Sequence, residues 1–174
     1  MIQIEYLPIV LTGIGIMASI LYYASVLRNA NKTQKMQLDT RQAQLFMQIY
    51  SVFASDEFFE RAGIVVRTEF TDLDDFWENH YTSQHWTHWT WLNGLGILLK
   101  NGLVDLEMVY DMLGGFGPPR VWSKYRDVIL DLRDRHQLPD MFSSFEYLAG
   151  EITRVMEERG MPSKWSWEND RFEM

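Results

Sequence analysis

The chain has no cysteine. That single absence excludes disulfides, thiolate zinc sites, iron–sulfur ligation and a cysteine nucleophile. Basic charge is also short: 16 Lys and Arg stand against 24 Asp and Glu over 174 residues, a formal net charge of −8. A chain so acidic lacks the basic face that a nucleic-acid backbone requires, so no nucleic-acid partner is expected. There is no GxxxxGK[ST] phosphate loop, no HExxH, no GxSxG elbow, and no repeat or low-complexity tract. The one glycine-rich stretch, Gly114-Gly115-Phe116-Gly117-Pro118-Pro119, follows a predicted helix rather than a strand and reads as a turn.

Aromatic residues, by contrast, are plentiful: 7 Trp, 8 Tyr and 10 Phe argue for a packed core and against disorder. Tyr6 to Leu27 carries no charged side chain. As a helix it would be roughly 33 Å long, the scale of a hydrocarbon core. Tyr6 at one end and Tyr22 and Tyr23 near the other sit where aromatic belts occur. Residues 1–27 are therefore expected to form a transmembrane anchor. Arg28, Lys32, Lys35 and Arg41 follow the run and no Lys or Arg precedes it. The positive-inside rule then places the N-terminus outside and the remainder in the cytoplasm, a single-pass protein of the cell membrane. Those four cations are expected to lie near lipid head groups. Thr12, Gly15, Ser19 and Tyr22 share one face of the run, and the Gly15/Ser19 spacing suits close helix packing in a membrane.

Beyond the run the 3.6-residue period recurs and no strand-like alternation appears. The expected fold is all-α: the transmembrane helix continues into a basic helical stalk (28–42), then a compact multi-helix cytosolic domain (43–160) and a tail (161–174). Ala43, Phe46, Met47, Tyr50 and Phe53 make an apolar face with no Pro or Gly to separate it from the anchor, so one long helix is predicted. Ser55 is a predicted N-cap, and Thr71 with Asp74 resembles a capping box opening a short acidic helix, Asp72 to Asn79. Further helices are predicted from Ser83 to Lys100 with a stop at Asn101-Gly102, from Asp105 to Gly114, from Pro118-Pro119 to about His136, and from Asp140 to Arg159 before Gly160.

The pattern points to no catalytic residue, no cofactor and no metal ligand set. His85 and His88 share a helix face among Trp86, Trp89 and Trp91, a spacing that could co-ligate a metal, but the same line continues through Leu92, Leu95 and Leu99. Asp72, Asp74, Asp75 and Glu78, with Glu69 before them, are the densest acidic cluster; acids in a first helical turn are ordinary dipole chemistry. Trp165 and Trp167 in the tail could anchor a partner. The expected function is binding: an accessory, scaffold or regulatory subunit of a membrane complex. Its expected partners are membrane lipids and other membrane proteins, or a second copy by self-association. The alternative is a membrane-bound enzyme or metal sensor built on His80, His85, His88 and the acidic cluster.

Several segments also carry a family resemblance. They are Thr40-Arg41-Gln42-Ala43-Gln44-Leu45-Phe46-Met47, Ser55-Asp56-Glu57-Phe58, Asp74-Asp75-Phe76, Gly94 to Lys100 with Gly102-Leu103, and Phe145-Glu146-Tyr147-Leu148. With the N-terminal run they resemble a group of small prokaryotic, notably archaeal, single-pass proteins known only as a domain of unknown function. The resemblance implies the same topology and carries no catalytic residues.

Overall fold

The computed structural model describes residues 7–113 and 117–161. Among them there are seven α-helices and no strand: α1 Leu7–Phe53, α2 Asp56–Arg67, α3 Leu73–Asp75, α4 Ser83–Lys100, α5 Leu106–Leu113, α6 Gly117–His136 and α7 Ser143–Glu158. The all-α expectation holds. The chain divides into two compact units, residues 1–45 and 46–174.

The membrane anchor does not hold. Among the described residues no helix is long and apolar enough to cross a membrane. Within the stretch from Leu11 to Leu27, Thr12, Gly15, Ser19, Tyr22, Tyr23 and Ser25 dilute the large apolar side chains. Arg28, Asn29, Asn31 and Lys32 continue the same helix as polar residues. Tyr6, the proposed outer belt residue, lies outside the described residues.

Most helix ends obey local chemistry. Ser55 Oγ accepts the Phe58 N–H at 3.2 Å and opens α2. Asp105 Oδ1 accepts from the Glu107 and Met108 N–H groups at 2.9 and 3.2 Å ahead of α5. α4 closes at Gly102 with φ +65°; the Leu103 N–H reaches Leu98 O and the Gly102 N–H reaches Leu99 O, each at 2.9 Å. Gly160, φ +70°, closes α7 in the same way. The acidic helix differs by one residue from its predicted box. Asp72, not Thr71, is its N-cap, accepting the Asp75 N–H at 2.9 Å, and Asp75 Oδ2 accepts from the Thr71 N–H at 2.9 Å. It then widens into a π turn, Phe76–His80, closed by Tyr81 N–H to Phe76 O at 2.8 Å. The extra residue buries Phe76 completely and lets Trp77 Nε1 donate to Asp131 Oδ2 on α6 at 2.8 Å.

α4 and α7 form the centre of the second unit; α2 packs on α4, and α5 and α6 pack on α7. Trp89, Leu92 and Leu95 of α4 meet Phe145, Leu148 and Ile152 of α7 in a core where all six are at most 3% exposed. Each such side chain is worth roughly 1.5–3 kcal/mol of burial. α7 starts three residues later than predicted because Phe142 takes a left-handed conformation, φ 56° and ψ 24°. That costs a non-glycine residue about 1–2 kcal/mol. Burial of the Phe142 ring beside Trp86 and Trp89, with centroids at 5.1 and 6.0 Å, outweighs it.

The N-terminus of α7 is capped from another helix. Asn93 Oδ1 on α4 accepts from both the Ser144 and Phe145 N–H groups at 3.1 Å. Asn93→Ala is expected to cost about 1–3 kcal/mol, since the part-buried Ser144 N–H loses its acceptor and the Phe145 N–H keeps only Phe142 O. Urea denaturation checks this: an unchanged midpoint would mean that water replaces the amide at no cost.

Candidate functional site

The histidines predicted to share a face do so, and α4 buries both. His85 stands at the third position of the helix, where its ring completes a capping box with Thr82. The Thr82 N–H donates to Nδ1 at 3.2 Å, and Nε2 lies 3.2 Å from Thr68 Oγ1. The Thr68 hydroxyl donates its proton to Ile64 O at 2.7 Å. Thr68 is therefore an acceptor toward His85, so the proton of the neutral ring resides on Nε2. Burial, with the Lys124 charge adding to it, pushes the His85 pKa down to about 4. Around the ring stand Phe76, Trp89 and Tyr125 with centroids at 5.2 to 5.9 Å, and the Tyr125 hydroxyl donates to Val65 O at 2.6 Å.

His88 is 4% exposed, its ring 5.4 Å from that of Phe58, and its Nδ1 meets no partner among the described residues. Burial, then the nearby Arg61 charge, pushes its pKa down to about 4. Both rings are thus neutral parts of an aromatic core at ordinary pH. His80 is elsewhere, on the π turn, its Nε2 3.4 Å from Asp75 Oδ1.

The acidic cluster is occupied by the helix it starts. Asp72 and Asp75 cap backbone N–H groups, and Asn79 donates to Asp75 Oδ1 at 3.0 Å. The Thr71 and Asn79 hydrogen bonds hold the Asp75 carboxyl below its ordinary range. Among the described residues no three His, Asp or Glu side chains come together in a group that could hold a metal.

Two grooves escaped the sequence reading. One, of about 330 Å³, is lined by Ile49, Trp91, Gly94, Leu95 and Leu98. The other, of about 420 Å³, runs between α6 and α7 over Trp122, Ala149 and Gly150, with Glu146, Arg154 and Glu157 at its edge. Gly94 was a usable signal, because a glycine inside a helix costs about 1 kcal/mol and leaves the surface open.

Among the described residues, α1 carries a long run of exposed apolar side chains. Leu11, Ile14, Ile16, Met17, Ile20, Leu21 and Leu27 are each 57–67% exposed. The residues predicted for helix packing lie in this stretch: Thr12, Gly15, Ser19 and Tyr22 are all exposed, and the Ser19 hydroxyl donates to Gly15 O at 2.8 Å. A Cβ added at Gly15 would meet nothing within 4 Å. Arg28, Lys32, Lys35 and Arg41, predicted for lipid contact, follow as exposed residues of the same helix. Trp165 and Trp167, predicted for partner contact, lie outside the described residues, as do Gly114 to Phe116 of the glycine-rich stretch.

This is an all-helical chain with aromatic core histidines and an exposed apolar helix. Residues 10–152 match the model of a domain of unknown function, DUF4760, and the chain belongs to that family. No curated protein and no solved structure matches it.

Proposed function

We propose that this chain acts by binding, as an accessory, scaffold or regulatory subunit whose principal contact surface is the exposed apolar stretch of α1. The observation that carries the reading is the run from Leu11 to Leu27, in which Leu11, Ile14, Ile16, Met17, Ile20, Leu21 and Leu27 are exposed. Contiguous exposed apolar surface marks interaction sites. The proposed place of work is a membrane face, where Arg28, Lys32, Lys35 and Arg41 attract anionic head groups at about 1 kcal/mol per charge; no spanning role is assigned to α1. An enzymatic reading has less support. His85 uses both ring nitrogens in structural hydrogen bonds, and Asp72 and Asp75 serve as caps.

Crosslinking of the full chain in native membranes tests the proposal. The wild type is expected to yield discrete products. A wild type that crosslinks to nothing, itself included, overturns the binding reading. Gly15→Leu is expected to weaken association by obstructing close approach while the helix keeps its stability, since the new side chain points into open space. If Gly15→Leu crosslinks as the wild type does, contact through the Gly15 face is wrong, and the wider reading stands.

A further inference from the structure

We propose that the groove between α6 and α7 binds a linear aliphatic polyamine. The site is separate from the α1 contact above and does not depend on it. Its volume, about 420 Å³, lies in the range of small-ligand pockets. Pro119 and Trp122 of α6 and Ala149 of α7 give it apolar walls. Glu146, Thr153 and Glu157 line it along α7 at intervals of seven and four residues, which puts them on one face of the helix. That stripe is roughly 16 Å long.

The polar groups of the stripe are left to accept. The Thr153 hydroxyl donates its proton to Ala149 O at 2.8 Å, so it offers a ligand lone pairs only. Arg133 donates to Glu146 Oε2 at 2.9 Å, and Oε1 has no partner among the described residues. Glu157 is exposed and has no hydrogen bond or ion pair among the described residues. Arg154, the cation in the lining, is already held by Glu151 and Glu158 at 2.7 and 2.8 Å. The end of α7 sharpens the preference. Its last turn carries Glu157 and Glu158 and no base, against the sense of the helix dipole. Arg159, just beyond, is drawn to Glu107 and Asp111 of α5. A cation in the groove would answer both the free carboxylate and the dipole. The fitting ligand therefore donates at Glu157, Thr153 and Glu146 and is hydrocarbon in between, against Pro119, Trp122 and Ala149. A polyamine has that alternation, ammonium groups separated by short methylene runs. A metal ion lacks the hydrocarbon, and a small monoamine lacks the reach.

Calorimetric titration of the full chain with spermine at low ionic strength tests the proposal. A single molecule is expected to bind per chain. Glu157→Gln is expected to weaken binding about tenfold by removing a charge-assisted hydrogen bond. Glu60→Gln, which removes the same charge from an exposed position of α2, is expected to leave it unchanged. Thr153→Val is expected to weaken spermine but not the α,ω-diamine of equal length that has methylenes in place of the inner nitrogens. Helical circular dichroism confirms that each variant is folded. Absence of binding, several equivalent sites, or equal loss from Glu157→Gln and Glu60→Gln overturns the proposal and leaves only attraction to net charge. A Thr153→Val effect that is nil, or the same for both amines, overturns it as well, since the stripe of acceptors would then select nothing.

Discussion

Gly96→Ala is expected to destabilise the helical unit more than any other single methyl group added to it. α4 and α7 cross at this residue. A Cβ at Gly96 would fall inside the van der Waals envelope of the Ser144 carbonyl oxygen and carbon, and 3.3 Å from Leu148 Cβ. The obstacle is backbone, so no rotamer change relieves it. Relief requires α7 to back away, which opens the contact of Leu92 and Leu95 with Phe145 and Leu148 and breaks the Asn93 cap. Overpacking alone costs about 1–3 kcal/mol. The lost cap adds a cost of similar size. The sum is on the order of 4 kcal/mol, a large share of the roughly 5–15 kcal/mol that holds an ordinary domain together. Thermal and urea unfolding measure it. Gly94→Ala, two residues earlier and with open space above it, is the control and is expected to be neutral or mildly stabilising through helix propensity. Equal effects at the two positions would disprove the close-approach argument.

Acid is expected to unfold the same unit between pH 6.5 and 4. His85 and His88 are neutral in the folded state down to about pH 4, because burial penalises their charged forms. In the unfolded chain they titrate near their ordinary value of about 6.5. Below that pH the unfolded state binds protons that the folded state refuses, so stability is complete above 6.5 and is lost as pH falls toward 4. The differential is on the order of 3 kcal/mol for each ring. Lys124 and His80 oppose a charge on His85, and Arg61 opposes one on His88. Asp75, whose folded pKa is lowered from 3.8, contributes its own loss only below that window. Urea midpoints at pH 7, 5 and 4 are expected to fall steeply, and His88→Leu is expected to flatten the fall. A midpoint constant from pH 7 to 4.5 would contradict neutral burial of the two rings.

What the sequence made legible was local chemistry. Ser55, Asp105, Asn101-Gly102, Pro118-Pro119 and Gly160 each mark a helix end through a side chain, a ring or a positive φ that acts within a few residues. The π turn at Phe76 to His80 was not legible, because it exists to aim Phe76 and Trp77 at a core and at Asp131 far along the chain. The start of α7 was misplaced for the same reason: the helix was predicted to run from Asp140, while the side chain that opens it is Asn93 on α4. The histidine pair was read correctly as an extension of the apolar face. The role of the His85 ring in capping its own helix was missed, since Thr at the N-cap followed by His is not the usual Thr-to-Glu pattern. The anchor was overturned because absence of charge from Tyr6 to Leu27 was taken as enough, whereas among the described residues no helix is long and apolar enough to cross a membrane. The grooves depend on which helices neighbour one another, which periodicity within one segment cannot supply.

The borrowed cap of α7 also bears on how the unit assembles in time. A helix capped by its own sequence can flicker into existence alone within microseconds. α7 has instead a left-handed Phe142 at its threshold and takes its acceptor from a residue 51 positions earlier. The first turn of α7 is therefore fully bonded only after a long loop has closed on α4. The amide protons of Ser144 and Phe145, although at a helix terminus where fraying is normal, should exchange with solvent as slowly as protons in the centre of the core. Their protection reports separation of α4 from α7, and with it the cooperative opening of the whole unit.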